Sequence, residues 1–336
     1  MNAERRCFQA GAAMILLAIF LRLMSTGAMV AFIRQPAVLS LLVLSETGRW
    51  VYPGGETVVF TRTEEDIPQP EAEQPPVVPE APAKAVFSSS DATLVAVNSA
   101  CGYSVDVETM LAMPLTWDLR SEGPAVLIVH SHGSESYEKT EDYRESSAYR
   151  TLDERYNVVS VGERIAESLE AGGIGVLHDK TLHDYPSYNN AYGESRISVD
   201  EYLRQYPSIR VVLDIHRDSL EAADGTQIAK TVSLGGQDTA QLMMVVGTDA
   251  GGLEHPNWQE NMALAVKLHA QLEKLAPGIC RPISFRSQRF NQDLSPGAML
   301  IEVGAAGNTR QEALLAAEQL AAGILALAYG TEGEIY

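Results

Sequence analysis

The chain is poor in cysteine, and the three cysteines it has exclude two classes of protein. Cys7, Cys101 and Cys280 form no CxxC or Cys/His spacing, so a zinc site built on thiolates is excluded. A disulfide-stabilised scaffold is excluded as well, because only a bridge between Cys101 and Cys280 is conceivable once Cys7 is assigned to the apolar N-terminus. We expect Cys101 and Cys280 to be unpaired thiols.

The chain also has fewer basic residues than acidic ones. Lys and Arg number 25 against 44 Asp and Glu, which gives a formal net charge of -19. Affinity for a phosphate backbone comes from basic side chains that release counterions, and this chain has no excess of them. We therefore expect no nucleic-acid partner.

The longest apolar run lies at the N-terminus. Arg5 and Arg6 precede residues 7–33, which are apolar apart from Arg22 and a few small polar residues. About 20 apolar residues can cross a bilayer, and flanking positive charge favours the cytoplasmic side. Residues 1–33 are thus predicted to be a cytoplasmic tip and an uncleaved single-pass transmembrane anchor, with the rest of the chain outside the cytoplasm. Cleavage after "STGAMVA" is the alternative.

The composition changes twice after this anchor. Residues 34–60 contain a shorter apolar patch and are predicted to be a membrane-proximal segment. Residues 61–90 are dominated by Pro and Glu and cannot bury enough apolar surface to fold, so they are predicted to be a disordered linker. Residues 91–336 are predicted to form one extracytoplasmic catalytic domain.

In this last region short β-branched runs alternate with helical patterns. Buried strands are predicted at 125–130, 174–179, 209–216, 242–247 and 298–304. Helices are predicted at 161–171, 199–206, 258–275 and 310–329, preceded by the capping residues Ser160, Ser198, Asn257 and Thr309, each three residues before a glutamate. The alternation predicts an α/β fold, a mostly parallel sheet with helices on both faces.

Side chains that bind metals stand at the ends of several predicted strands. His130 and His132 follow the first strand in "VHSHGSESY", His216 ends the third, and Glu302 lies within the last. Because ligands bind at the carboxyl ends of parallel strands, we expect these side chains to converge. Two imidazoles and one carboxylate are a common ligand set of catalytic zinc.

We therefore predict that His132, Glu135 and His216 bind a zinc ion (Zn²⁺). Amide hydrolysis also needs a base that passes a proton to the leaving nitrogen, and Glu302 is the predicted catalytic acid/base. His130 is predicted to support the ligands. Asp214 and Asp218 flank His216, and each either orients its ring or is an ordinary polar residue near the strand end.

A loop rich in tyrosine and histidine follows the second strand. It contains His178, His183, Tyr185, Tyr188, Tyr192 and Arg196, and we interpret it as a wall that contacts substrate.

Four motifs together resemble the stage II sporulation protein P family of endospore-forming bacteria, over residues 125–329. They are "VLIVHSHGSESY", "NVVSVGERIAESLEAGGIGVLHDKTLHDYPSYNNAYGESR", "IRVVLDIHRD" and "FNQDLSPGAMLIEVGAAGNTRQEA". That family is related to the zinc-dependent N-acetylmuramoyl-L-alanine amidases. The resemblance implies an amidase-like fold, with His132 and His216 as metal ligands and Glu302 as catalytic acid/base.

The resemblance also implies a biological setting. The expected reaction is hydrolysis of the peptidoglycan bond between the lactyl group and the stem peptide, with endopeptidase activity on peptide cross-links. The expected place is the mother-cell membrane facing the septal space, during forespore engulfment, beside a lytic transglycosylase and another membrane protein. The alternatives are a non-catalytic septal binding module and a zinc carboxypeptidase that trims stem peptides.

The third metal ligand and the substrate contacts stay open at this point. In the related amidases the carboxylate ligand lies on the helix after the first strand, where Glu154 and Glu163 are approximate matches; Glu135 is our prediction because the His-x-x-Glu turn can bring both side chains to one ion. Stem peptides carry carboxylates, and the predicted substrate-binding residues are Arg196, Arg217 and Tyr188. Arg286 and Arg289 are further candidates, or ordinary surface residues.

Overall fold

The computed structural model describes residues 85–115, 118–120, 122–139, 143 and 149–329. Every described residue belongs to the compact unit Pro79–Tyr336. The predicted anchor and membrane-proximal segment, and the predicted linker up to residue 84, lie outside the described residues. At the end of that linker Ala85 and Phe87 pack against the hydrophobic core, so the folded domain begins no later than Ala85.

A seven-stranded sheet forms the centre of this domain. The strands of the domain are β1 Val97–Ser99, β2 Val126–Val129, β3 Val176–His178, β4 Val211–Asp218, β5 Thr231–Leu234, β6 Gln237–Ala240, β7 Leu242–Val246, β8 Ile283–Phe285 and β9 Ala298–Ala305. The spatial order in the seven-stranded sheet is β1-β8-β7-β9-β4-β2-β3. Among the described strands every neighbouring pair is parallel except β7 and β9, which are antiparallel, so the predicted mostly parallel sheet is confirmed. The hairpin of β5 and β6 forms a separate two-stranded sheet.

Helices cover both faces of the sheet, as the alternating pattern predicts. Successive residues of a strand point to opposite faces, and in β2 Val126 and Ile128 join a large hydrophobic cluster with α1, α2, α4 and α5 while Leu127 and Val129 join a smaller one with α3. The helices are α1 Val107–Ala112, α2 Val158–Ala171, α3 Ala191–Gln205, α4 Trp258–Leu275 and α5 Arg310–Tyr329, with short 3-10 helices at Ser89–Leu94, Tyr188–Asn190 and Gln292–Leu294.

The predicted helix starts are right for two helices and wrong for two. Both α4 and α5 have the predicted bounds, and at the start of α5 the Thr309 hydroxyl accepts from the Glu312 amide while the Glu312 carboxylate accepts from the Thr309 amide. By contrast α2 begins at Val158, because Asn157 caps it with a side-chain bond to the Val159 amide. The predicted cap at Ser198 lies inside α3, which begins at Ala191.

Within the described residues α5 is the one helix long enough and apolar enough to cross a membrane. In the structure 61% of its most apolar window is buried inside the protein. Its alanine and leucine side chains belong to the large hydrophobic cluster. The helix is therefore explained as a core helix of this domain.

Candidate active site

His132 and Glu135, in the turn after β2, meet His216, which lies near the carboxyl end of β4. The rings of His132 and His216 stand edge to face with their centroids 5.5 Å apart. Nδ1 of His216 lies 3.4 Å from Oε2 of Glu135. All three side chains are buried. The structure thus brings the three predicted metal ligands together.

A tight turn after β2 puts His132 and Glu135 on the same side. The Glu135 amide donates to the His132 carbonyl over 3.1 Å, which closes the turn. Glycine at position 133 allows this turn to pack closely against Leu182, because a Cβ at that position would lie 2.8 Å from Cδ2 of Leu182. The turn is held from outside by Asp184, whose carboxylate accepts from the Ser134 hydroxyl over 2.5 Å. The sequence "HGSE" is therefore suited to this geometry.

His216 lies between two carboxylates. Its Nδ1 faces Glu135, while its Nε2 lies 2.9 Å from Oδ1 of Asp214, which is itself fixed by the amide and hydroxyl of Ser131. Burial disfavours a charged ring, but the two carboxylates outweigh it and raise the pKa of His216 well above its usual value. The surroundings of this imidazole therefore stabilise positive charge. Asp214 is the flanking aspartate that orients the ring, while Asp218 pairs with Arg281.

These residues fit the donor set of a zinc ion. Nδ1 of His132 is buried without a hydrogen-bond partner, and the nearest carboxylate oxygen recorded for it, on Asp184, is 4.0 Å away. Nδ1 of His216 faces Glu135, and its Nε2 lies 2.9 Å from Oδ1 of Asp214 but makes no hydrogen bond of good geometry. A carboxylate beside the second ring nitrogen is typical of a metal-binding imidazole. In the described ranges no three His, Cys, Asp or Glu side chains are already arranged as a complete metal site. The donor chemistry, two imidazoles and one carboxylate, is nevertheless that of catalytic zinc.

Glu302 lies beside this cluster on β9, where it is the register partner of His216 on β4. Its Oε2 is buried and has no hydrogen-bond partner among the described residues. Burial raises the pKa of Glu302 to about 8; the positive charge of His216 opposes this rise, and the carboxylates of Glu135 and Asp218 add to it. A carboxyl group in this state can hold or release a proton near neutral pH.

Glu154 and Glu163, the alternative third ligands, lie elsewhere. Both line a groove on the outer side of α2. Glu163 accepts hydrogen bonds from Nδ1 of His178 over 3.0 Å and from Lys180 over 2.6 Å. Glu135 is thus the candidate carboxylate that stands next to both imidazoles.

The two arginines predicted to contact substrate both have partners within the protein. Arg217 is buried; its guanidinium donates to the carbonyls of Ser136 and Tyr149, each over 2.9 Å, and its backbone amide donates to Glu135. Arg196 makes a two-pronged ion pair with Asp293, over 2.9 and 2.8 Å. Arg217 therefore positions Glu135, and Arg196 ties α3 to the loop before β9.

Tyr188 does border the site, where its ring packs against His132 and Arg150. Its ring lies against His132 with centroids 4.1 Å apart and an interplanar angle of 22°. The guanidinium of Arg150 covers the Tyr188 ring, 3.7 Å from its centroid. Arg150 was not predicted, and no local pattern marks it; it reaches the site because residue 150 forms an antiparallel bridge with Glu135.

His178 and His183 of the predicted wall have partners within the protein, as does His130, the predicted support of the ligands. Nδ1 of His130 donates to the carbonyl of Ile215, the residue before His216, over 2.9 Å, and its Nε2 bonds to Nε2 of His178. His183 is buried and bonds to the His130 carbonyl and to the Ser198 hydroxyl. These rings stabilise the backbone beneath the site and do not form a wall. Both described cysteines, Cys101 and Cys280, are free thiols.

Fold and site define an α/β protein with a centre of two imidazoles and two carboxylates at the carboxyl edge of a mostly parallel sheet. Residues 58–325 match the family model "Stage II sporulation protein P (SpoIIP)". The chain belongs to this family, as the motifs predict. The stage II sporulation protein P of Bacillus subtilis (strain 168) is 29% identical over 269 residues, which are 74% of this chain and 60% of that protein. The chain thus matches less than two thirds of the length of this relative.

Among solved structures, the chain is similar to amidases at low identity. N-acetylmuramoyl-L-alanine amidase AmiC2 of Nostoc punctiforme shares 14% identity with a TM-score of 0.37, covering 62% of this chain and 97% of that chain. The N-acetylmuramoyl-L-alanine amidase from Clostridium difficile 630 shares 16% identity with a TM-score of 0.38, covering 63% of this chain and 100% of that chain.

Proposed function

We propose that this protein is a zinc-dependent peptidoglycan hydrolase that cleaves the amide between the lactyl group and the stem peptide, with endopeptidase activity on peptide cross-links. The observation that carries the proposal is the position of His216 between Glu135 and Asp214, with His132 beside it and Glu302 in register on the next strand. Membership of the stage II sporulation protein P family supports a cell-wall substrate.

His132, Glu135 and His216 are the residues that would hold the zinc ion. A zinc ion bound there supplies a Lewis acid that polarises the carbonyl of the scissile amide. Asp214 lies against the ring of His216. Arg217 holds the carboxylate of Glu135 through its backbone amide and through its guanidinium, which lies 3.6 Å from Oε1 of Glu135. Both supports are buried, so the ligands are held in place before substrate arrives.

Glu302 handles the proton. Its Oε2 has no hydrogen-bond partner within the described part of the chain, so it is available to a water molecule or to a substrate nitrogen. In the proposed reaction Oε2 takes a proton from the attacking water and gives it to the nitrogen of the leaving stem peptide. The water oxygen bonds to the lactyl carbonyl carbon and the C–N bond breaks. One proton of the water reaches the leaving nitrogen and completes the new amine, and the other stays with the new lactyl carboxyl group.

The cellular setting is part of the same proposal. Residues 1–33 anchor the protein in the mother-cell membrane, residues 61–84 act as a tether, and the domain faces the septal space. There it acts on septal peptidoglycan during engulfment of the forespore, beside a lytic transglycosylase and another membrane protein. Family membership supports this setting.

Product analysis tests the function. Purified peptidoglycan is incubated with the full-length protein, with protein treated with a chelator, and with chelated protein to which zinc is returned. Free intact stem peptides that appear in the first and third samples alone support a zinc amidase. Shortened stem peptides indicate a carboxypeptidase, and unchanged muropeptides indicate a binding module; either result contradicts the proposal.

A further inference from the structure

A cleft of about 650 Å³ opens beside Glu302 on one face of the sheet. Its floor is formed by side chains on four neighbouring strands: Glu302 and Leu300 of β9, Met243 and Val245 of β7, Ser284 of β8 and Asn98 of β1. These residues are register partners from strand to strand, so they share one face. The candidate acid/base is therefore one end of a continuous path across the sheet.

The cleft exists because α3 covers only part of this face. The small hydrophobic cluster under α3 contains Leu127, Val212 and Ala298, which lie on β2, β4 and the start of β9. Beyond β9 the same face borders the cleft over β7, β8 and β1, and Val245, Ser284 and Leu300 on the cleft floor are themselves buried. Three strand spacings of about 4.8 Å make this stretch about 14 Å long, which suits a peptide of about four extended residues.

One positive group in the cleft is without an acidic partner. Two arginines line it, and Arg281 is neutralised by Asp218 over 2.8 Å. Arg286 instead donates from Nε to the hydroxyl of Ser284 over 2.8 Å, and no carboxylate of the described residues pairs with its guanidinium. In a chain of net charge -19, an unpaired guanidinium beside a polar site favours an anionic ligand.

We propose that this cleft binds the stem peptide of the substrate, with Arg286 as the residue that binds one of its carboxylates. The proposal rests on the proposed function, because that function identifies the ligand as a stem peptide. Nε of Arg286 is held by Ser284, which leaves the two terminal nitrogens as a fork that matches a carboxylate. Leu300, Met243 and Val245 provide an apolar floor for the peptide, and Glu302 faces the amide at its N-terminal end.

Binding of a labelled peptide tests this inference independently of catalysis. The probe is a fluorescently labelled stem tetrapeptide, which lacks the lactyl amide and so is not a substrate of the proposed amidase; a second probe has its carboxylates converted to amides. Fluorescence anisotropy is measured with the full-length protein, with Arg286→Gln and with Arg286→Lys. The matched control is Arg204→Gln, since Arg204 is an exposed arginine on α3 that pairs with Asp200 outside the cleft.

We expect Arg286→Gln to weaken binding of the acidic peptide by about tenfold or more, the range for a charge-assisted bidentate pair. Arg286→Lys should restore part of the affinity, Arg204→Gln should bind like wild type, and the amidated peptide should bind equally weakly to wild type and Arg286→Gln. The inference is wrong if the wild type does not bind the acidic peptide, or if Arg286→Gln binds it as well as the wild type does.

The same proteins are assayed on purified peptidoglycan, which separates the two proposals. Arg286-dependent peptide binding without any cleavage supports the cleft and contradicts the proposed hydrolase. Cleavage that is unchanged in Arg286→Gln, together with unchanged peptide binding, supports the hydrolase and contradicts the cleft.

Discussion

His216 on β4 and Glu302 on β9 are register partners on adjacent parallel strands, and the regular pairing shifts between His216 and Asp218. Paired residues on neighbouring strands point to the same face, so the carboxyl group without a partner stands next to the imidazole that is held by two carboxylates. Irregular pairing is common beside active sites, where it redirects side chains. This pair links the metal-ligand cluster to the open cleft.

Glu302→Gln should abolish hydrolysis and leave the metal site intact. The amide is close in shape to the protonated carboxyl that burial favours, so we expect unchanged zinc content and an unchanged or slightly higher thermal midpoint. Loss of proton transfer should lower the rate of peptidoglycan cleavage by about 100- to 10,000-fold. Muropeptide release, zinc content and thermal unfolding are measured on the same preparation. Near wild-type turnover in this variant would rule out the assigned role.

Glu135→Ala should lose zinc, whereas Glu163→Ala should retain it. Glu135 lies 3.4 Å from the His216 ring, while Glu163 is bonded to His178 and Lys180 on the outer side of α2. Zinc per protein after dialysis decides between them, with His216→Ala as the positive control for loss. A full zinc complement in Glu135→Ala, or a depleted Glu163→Ala, would assign the carboxylate ligand differently.

Asp214→Asn should weaken zinc binding by about 10- to 100-fold, the usual effect of removing the carboxylate that supports a ligating histidine. Its Oδ1 is 2.9 Å from Nε2 of His216. Asp218→Asn, on the same strand, is the matched control because Asp218 pairs with Arg281 and does not support the ring. Competition with a zinc chelator gives both affinities. Equal affinities in the two variants would contradict the supporting role of Asp214.

Arg217→Lys should act on the metal site and on folding more than on substrate affinity. The guanidinium of Arg217 is buried and bonds to two backbone carbonyls, at Ser136 and Tyr149, and lysine cannot reproduce that fork. We expect a lower thermal midpoint and lower zinc affinity, with the KM for soluble muropeptides little changed in the zinc-loaded fraction. A raised KM with normal stability would restore Arg217 as a substrate contact.

The parts of this structure that could be predicted from the sequence are those with strong local signals. Apolar runs marked β2, β3, β4, β7 and β9, whereas the three-residue strands β1 and β8 carry no such signal. Capping boxes misplaced the starts of α2 and α3, because Asn157 caps α2 instead and Ser198 is simply a helical residue that bonds His183.

In the candidate site, too, residues with a strong local signal could be predicted, while residues placed by long-range contacts could not. His132, His216 and Glu302 could be found because a buried sheet places polar residues at strand ends only for a reason. The role of Arg217 could not be found, since its partners are the carbonyls of Ser136 and Tyr149, brought to it by two separate turns. Arg150 and its stack on Tyr188 likewise depend on a long-range bridge.

Lys267, a buried lysine outside the candidate site, leads to a prediction about how the stability of the fold depends on pH. Its ammonium group on α4 is buried, donates to the Leu111 carbonyl and lies 5.1 Å from the centroid of the Phe87 ring. Burial lowers the pKa of Lys267 to about 8, from 10.5 for a free lysine. Between these two values the unfolded chain binds more protons than the folded one, so this lysine makes the folded state less stable as pH falls from 10.5 to 8.

Lys267→Met should remove this dependence. Relative to the wild type, the free energy of unfolding of the variant should rise by at most about 3 kcal/mol as pH falls through that window, which is the equivalent of the pKa difference. This rise should level off below about pH 8. Urea unfolding of both proteins at several pH values between 7 and 10.5 gives the difference directly, so titrations that the two proteins share cancel. Lys274→Met is the control, since Lys274 is a partly exposed lysine on the same helix that pairs with Asp91. A constant difference between wild type and Lys267→Met across the whole range would mean that burial does not lower the pKa of Lys267.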